Sequence, residues 1–318
     1  MTGMDKVRLA NTGSEATMHA LRIARATPAA SCSSSSTASI TACTTTCSTT
    51  RRPSRRQPWS RKGETRPIPT SRGIPRGIQE YLLTLPYNDI DAVERVFKRR
   101  GEQIAAVMVE PVMGNTAGIV PRLEWLQAIR RLCDAYGVVL IFDEVKTGFR
   151  LANGGAQEYF GVKADLAAYA KAMGNGYPVA AIAGREAIMA PIDDGDVAHG
   201  GTYVGNVPAT RGQCHAGDAE TEPIIETIFA RGKMLMDGIE VLTRHDVPHA
   251  VTGIPSMFSL VLGTDEPPYD YHSYDATDHE LYEELVGALI ERGVMPDDDS
   301  RSRGSCAMRT AARTSPRR

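Results

Sequence analysis

Two residues of opposite charge, Asp143 and Lys171, frame the chemistry open to this 318-residue chain. Asp143 follows the run 138–142, Val-Val-Leu-Ile-Phe, whose length and β-branched bias are those of a strand buried on both faces. Ligands of open α/β sheets sit beyond the carboxyl ends of the strands, and an acid there needs a cation or a donor to meet it. Taken alone, Asp143 could equally cap a turn or a helix. Lys171 lies in Ala-Lys-Ala-Met-Gly-Asn-Gly-Tyr-Pro, a weakly charged stretch that turns glycine-rich. Taken alone, it is an ordinary solvated lysine. Brought to one pocket, the two make the pair that pyridoxal phosphate chemistry uses. The lysine bonds the aldehyde, and the acid keeps the pyridine nitrogen protonated so that the ring acts as an electron sink.

Other stretches strengthen that pairing. NTGSEA at 11–16, VMVEPVMGN at 107–115, FDEVKTGFR at 142–150, AKAMGNGYPVAA at 170–181 and GGTYVGN at 200–206 together resemble the class III (subgroup II) aminotransferases. The spacing, with GGAQEYFGV at 154–162, is most like the glutamate-1-semialdehyde aminomutase branch. The resemblance implies pyridoxal 5'-phosphate as cofactor and fold type I. That fold is an α/β architecture, a large domain with a mainly parallel seven-stranded sheet plus a small C-terminal α/β domain. It implies Lys171 and Asp143 as the catalytic pair. It implies a phosphate site at Gly13 and Ser14, Glu110 beside the cofactor, and Val145 against the pyridine ring. The matching threonine of the family reaches the phosphate of the neighbouring subunit, so Thr202 implies a homodimer. Read from residues alone, the 11–16 turn is a helix N-terminus able to offer amides and a dipole to a phosphate, or a plain N-cap with a capping-box acid. Glu110 is a structural acid or a pocket acid. Arg150 could equally be a surface cation and is left out of the site.

The reaction implied is amino-group transfer on a small amino or keto substrate, glutamate 1-semialdehyde to 5-aminolevulinate in the aminomutase branch. A two-substrate aminotransferase is the alternative, and an inactive degenerate fragment of such an enzyme is another.

The elements that must position these residues follow the chain. A helix begins at the 11–16 turn and runs through Met18, Leu21 and Ala24. Asp89 caps a helix with Ile90, Val93, Val96 and Phe97 on one face. The stretch 104–112 is a buried strand ending near Glu110. Leu123, Leu126, Ile129, Leu132 and Tyr136 mark an amphipathic helix closed by Gly137. The strand 138–142 follows, completing a right-handed parallel unit. A strand spans 178–184, a helix follows Ile224, a strand covers 257–262, and Asp278 caps a helix through Leu281, Leu285 and Leu289. The large domain is expected at 1–210 and the small one at 221–299.

Composition narrows the classes. The chain has no 18-residue apolar run and no apolar signal core, so no membrane span is expected and the cytoplasm is the expected location. Six cysteines lack zinc or secreted-domain spacing, so no metal is expected. Charge is uneven. Residues 27–72 hold eight Lys/Arg against one acid, residues 300–318 hold six Arg, and residues 221–299 hold seventeen acids against four bases. A basic segment can mark a nucleic-acid partner, but 27–72 has no period and runs in Ser, Thr and Arg. The family's glycine-tyrosine-histidine-glycine segment, whose ring stacks on the cofactor, belongs there. The stretch therefore reads as shifted-frame codons rather than an Arg-Ser insert, and no nucleic-acid partner is expected. Stretches 211–220 and 300–318 read the same way, and the family's N-terminal segment has no counterpart before Asn11.

Overall fold

The run Val139–Asp143 becomes β5, every residue of it buried, and it lies in the middle of the sheet. In this computed structural model the described residues are 1–27, 38–42, 81–212 and 223–296. They fall into two units. The first comprises Met1–Pro111 and Pro121–Ile225, the second Val112–Val120 and Glu226–Arg318.

The first unit is built on a seven-stranded sheet in the order β1-β7-β6-β5-β4-β2-β3. Its strands are β1 (Lys6–Ala10), β2 (Ala38–Ala42), β3 (Leu82–Thr84), β4 (Ile104–Val109), β5, β6 (Leu166–Tyr169) and β7 (Ala180–Gly184). From β3 to β6 every pairing is parallel, and β7 runs antiparallel between β6 and β1. The sheet is thus mainly parallel, as expected. Its central strands are apolar throughout because helices cover both faces of such a sheet. One cluster joins β4, β5, β6 and β7 to the inner face of α1 (Gly13–Ala26), through Met108, Ile141, Leu166, Ile182, Ala20, Ile23 and Ala24.

Helix caps follow the sequence closely. Thr12 caps α1 and accepts from the Glu15 amide at 3.2 Å. Asp89 caps α2 (Ile90–Arg100) and accepts from Ala92 at 2.8 Å. Gly137 closes α3 (Leu123–Tyr136) with a left-handed φ of 67°.

Helix faces are less well anticipated. Met18 of α1 is 50 % exposed, and the buried face is Ala16, Thr17, His19, Ala20, Leu21, Ile23 and Ala24. In α3 the ends Leu123 and Tyr136 are exposed, while Trp125, Leu126, Ala128, Ile129 and Cys133 are buried. The larger rings and chains go where the sheet leaves room, not where an ideal stripe runs.

Two further corrections concern boundaries. The stretch 27–72 reads as lacking a strand period, yet Ala38–Ala42 pairs with β4 on one side and β3 on the other. Backbone pairing from both sides supplies what the local pattern does not. Val112–Val120 belongs to the second unit, although the large domain is expected to run unbroken to 210. A Met113–Ile119 bridge closes that segment, and Gly118 approaches the Met257 carbonyl so nearly that a Cβ would sit 2.9 Å from it. The shifted-frame readings of 300–318 and of 213–220, and the expected ring-stacking segment outside β2, lie outside the described residues.

The second unit holds α4 (Ile224–Ile239), which begins in the first unit, and the antiparallel pair β8 (His249–Ile254) and β9 (Met257–Leu262). It also holds α5 (His279–Glu291), capped by Asp278. Its core is Leu260, Leu262, Tyr282 and Val286. The buried face of α5 is therefore one step on from the expected one, and Leu281 is exposed.

Asp165 ties the first unit's central strands together. One oxygen takes the Leu140 amide at 2.8 Å and Arg130 at 2.9 Å, and the other takes Arg185 at 2.9 Å. Removing the carboxylate strands a buried amide and a half-buried guanidinium. Asp165→Ala is expected to cost roughly 3 kcal/mol of unfolding free energy by urea titration. A loss within the range of ordinary surface substitutions would show that the node is not what holds β5 to β6.

Candidate active site

Three neighbouring parallel strands end in the residues singled out by sequence. β4 runs into Glu110, β5 ends in Asp143, and β6 leads through Ala170 to Lys171. Register brings them level, since Val109 pairs with Phe142 and Asp143 with Ala168. Tyr87 fixes the exit of β4, its hydroxyl donating to the carbonyls of Glu110 (3.2 Å) and Pro111 (3.0 Å).

Glu110 and Asp143 are both buried. Asp143 accepts from the Val145 amide at 3.1 Å, so it does turn the chain, and this does not exclude a pocket role. Lys171 is accessible to solvent, yet the protein around its ammonium lowers its pKa by desolvation. Arg150 adds to that lowering, and the negative charges of Asp143 and Glu110 oppose it. Asp143, Glu110 and Lys171 thus share one field. Lys171 also sits at a left-handed φ of 47°, and Phe149 at 60°. Such conformations are costly for residues with a Cβ and gather where function demands them.

The turn at α1 meets this cluster directly. A Cβ on Gly13 would lie 2.9 Å from both methyls of Val145 and 3.5 Å from Ala170. Only glycine lets the helix N-terminus approach so closely. Glu15 accepts from the Asn11 amide at 2.7 Å, and Thr12 takes the Glu15 amide. Among the described residues no acceptor meets the amides of Gly13 or Ser14. They remain at the positive end of the helix dipole. Thr202 is exposed on the 200–206 loop, whose Gly201 has its Cβ position 3.7 Å from Asn11 Nδ2. No hydrogen bond links Thr202 to the other site residues among those described.

Sequence reasoning missed two features here. Arg150 is half-buried, its pKa lowered by burial, and its charge acts on Lys171. Its position two residues after Gly148 in the FDEVKTGFR stretch was the available signal. The second is Glu144, fully buried beside Asp143. One of its oxygens takes the Thr147 hydroxyl at 2.7 Å and the Ala156 amide at 2.8 Å, and the other takes the Gln157 amide at 3.2 Å. Gly155, at φ 75°, leaves no room for a Cβ, which would sit 2.6 Å from the Glu144 carboxylate. That explains the second glycine of GGAQEYFGV. Gln157 in turn donates to the buried Tyr169 hydroxyl at 3.0 Å and accepts from Ala164. This network fixes the 144–157 loop, which carries Val145 and Arg150.

These residues fit pyridoxal phosphate. Two free amides at a helix N-terminus suit its phosphate, a buried acid its ring nitrogen, and a desolvated lysine its aldehyde. Among the described residues no group of His, Cys, Asp and Glu could hold a metal ion, and no helix is long and apolar enough to cross a membrane.

The aminotransferase class-III family model matches residues 1–297. Similar proteins include the glutamate-1-semialdehyde 2,1-aminomutase of Aquifex aeolicus, 35 % identical over 295 residues, 92 % of this chain and 68 % of that protein. The enzyme of the same name from Methanopyrus kandleri is 36 % identical over 92 % of this chain and 66 % of its own length. An omega-transaminase structure from Sphaerobacter thermophilus matches with a TM-score of 0.77 at 27 % identity, covering 93 % of this chain and 68 % of its own. The chain spans about two thirds of the length of these relatives.

The Glu144 network has a pH signature. Burial pushes the carboxyl up to about 7 from 4.5, with the charge of Asp143 adding, although its three donors favour ionisation. Between those values the folded state holds a proton that the unfolded state releases, so stability is full below 4.5 and lost as pH rises through 7. The change corresponds to roughly 3 kcal/mol. Urea titrations at about pH 4.5 and pH 8 are expected to show native protein losing that much more stability than Glu144→Gln. Equal losses in the two proteins would contradict the assignment.

Proposed function

The chain belongs to the class-III aminotransferases, a pyridoxal-phosphate-dependent family, and on that footing we propose that it performs the amino-group transfer of the aminomutase branch. The substrate proposed is glutamate 1-semialdehyde, rearranged to 5-aminolevulinate for tetrapyrrole synthesis. The observation that carries this reading is Lys171, desolvated and set in the field of Asp143 and Glu110 where the α1 N-terminus meets Val145.

When bound, pyridoxal phosphate supplies an aldehyde for a nitrogen link and a ring that draws electrons from the substrate carbon. The amides of Gly13 and Ser14 would hold the phosphate oxygens. Asp143, buried at the end of β5, would keep the ring nitrogen protonated. Val145, held by Gly13 on one side, gives the ring a rigid apolar wall and excludes water from that face. Lys171 Nζ is less basic than an ordinary lysine, so a larger fraction is neutral at a given pH. That fraction can attack a carbonyl, and later take a proton from one substrate carbon and return it to another. Glu110 and Arg150 adjust the basicity of Lys171 in opposite senses.

Thr202, exposed and with no hydrogen bond to the other described site residues, fits a role in a second copy's phosphate site, and the working form proposed is a cytoplasmic homodimer. A two-substrate aminotransferase is the second reading, favoured by the likeness to the Sphaerobacter omega-transaminase.

Purified protein with pyridoxal phosphate is expected to show a visible band that borohydride fixes to the chain, and Lys171→Ala is expected to lack it. Absence of the band in native protein would sink the reading. With glutamate 1-semialdehyde as sole substrate, 5-aminolevulinate should form. A strict need for a separate amino acceptor would select the second reading.

Gly13→Val tests the α1 turn separately. Its side chain would drive into Val145, and cofactor affinity is expected to fall at least about a hundredfold, on the order of 3 kcal/mol. An affinity unchanged from native would show that the phosphate is not held at this turn.

A further inference from the structure

The 200–206 loop is pinned at its root by contacts that none of the sequence motifs explains. Val197, just before it, lies in the core cluster. Arg22 of α1 donates to the Ala198 carbonyl at 3.2 Å. His199 Nε2 lies 2.8 Å from the Leu9 carbonyl. At the far end of the loop a Cβ on Gly205 would stand 3.6 Å from Leu9 Cδ1, so root and return both rest on the residue two before Asn11. Residues 200–203 between them are exposed, beginning with two glycines.

His19, on α1, packs against His199 with ring centroids 4.5 Å apart at 69°. It is 8 % exposed. A carbonyl can only accept, so His199 Nε2 carries the proton it donates to Leu9, and in the neutral ring Nδ1 is bare. His199 Nδ1 and His19 Nδ1 are both buried with no partner among the described residues. A second proton on either ring would create a buried N–H without an acceptor, and a cation facing another ring and Arg22. Burial is the chief cause that lowers the His19 pKa, with His199 and Arg22 adding and Glu15 opposing. Those three are the charges acting on the ring. α1 cannot yield, because Ala16, Ala20, Ile23 and Ala24 lock it to the sheet. The loop can.

We propose that His19 and His199 form a pH-sensitive pin, positioning the 200–206 loop while His19 is neutral and releasing it when His19 takes a second proton. The purpose of the pin rests on the reading of Thr202 as a phosphate contact, so release weakens cofactor binding. His19 and His199 are positioning residues. They act through the loop and touch no reacting atom.

Deuterium uptake by residues 198–207 of the cofactor-free protein, corrected for intrinsic exchange, tests the pin at about pH 5 and pH 8. Native protein is expected to lose about tenfold protection at the lower pH. His19→Gln keeps a polar planar side chain against His199 but cannot be charged, and should stay protected at both. His199→Ala, which lacks the bond to Leu9, should exchange fast at both. No pH step in native protein, or the same step in His19→Gln, overturns the pin. Pyridoxal phosphate affinity, read by absorbance, should then fall about tenfold further in native protein than in His19→Gln at low pH. If both bind and track each other, the pin has no role in binding. If neither binds at either pH, the proposed function fails while the exchange result still decides the pin.

Discussion

A lysine that must lose its proton easily needs protein packed around its ammonium, even where solvent still reaches it, and a lysine so placed needs acids near it. That tension shapes the first unit. Adjacent strand ends at β4, β5 and β6 deliver Glu110, Asp143 and Lys171 to one field because parallel strands finish on the same edge of a sheet. Burial lowers the basicity of Lys171, and the two acids keep the lowering from going so far that the group is never charged. Had the acids stood on alternate strands, each would have been buried without a cation within reach, at a cost few folds sustain.

The close approach of α1 adds the opposite pole. Gly13 lies against Val145 and Ala170, so the helix dipole ends beside the strand ends that carry the acids and the lysine. A negative ligand is favoured at one place and a protonated ring nitrogen at another. The 144–157 loop keeps the two apart. Glu144 binds the start of a short helix, Gln157 binds Tyr169, and Val145 stands as the spacer. Three separate parts of the sequence therefore converge through a glycine, a valine and a buried carboxylate.

Much of this was legible in the sequence. The run 138–142 announces a buried central strand, and Thr12, Asp89, Gly137 and Asp278 announce their helix ends. Local chemistry decides each of these. Asp143 and Lys171 were singled out by residue type and setting, Gly13 and Glu110 by the family resemblance, and the fold brings all four to neighbouring strand ends and the α1 turn. The face of α5 was read one step off, and α3 buries Leu126 and Ile129 of its expected stripe but not its ends, because spacing predicts a stripe, whereas packing chooses the residues that fill the space. Tyr282 and Trp125 win over Leu281 and Leu123 by volume. β2 has no local signal, since its place is set by strands that come far later in the chain. Arg150 and Glu144 were hidden for a related reason. Their roles depend on what lies beside them in space, and a charged residue next to a motif looks the same whether it faces water or a lysine.

One pairing bears on how the chain is made. β1 joins the sheet only through β7, with Lys6 opposite Gly184. β1 is therefore made long before β7, the strand it must pair with. The 11–16 turn follows β1 directly, so the ligand cradle cannot take shape until that long-range contact closes. Such closures are slow, and the unpaired edges exposed meanwhile invite aggregation. During synthesis the small molecule arrives as a late visitor, able to trap the finished sheet but not to template it.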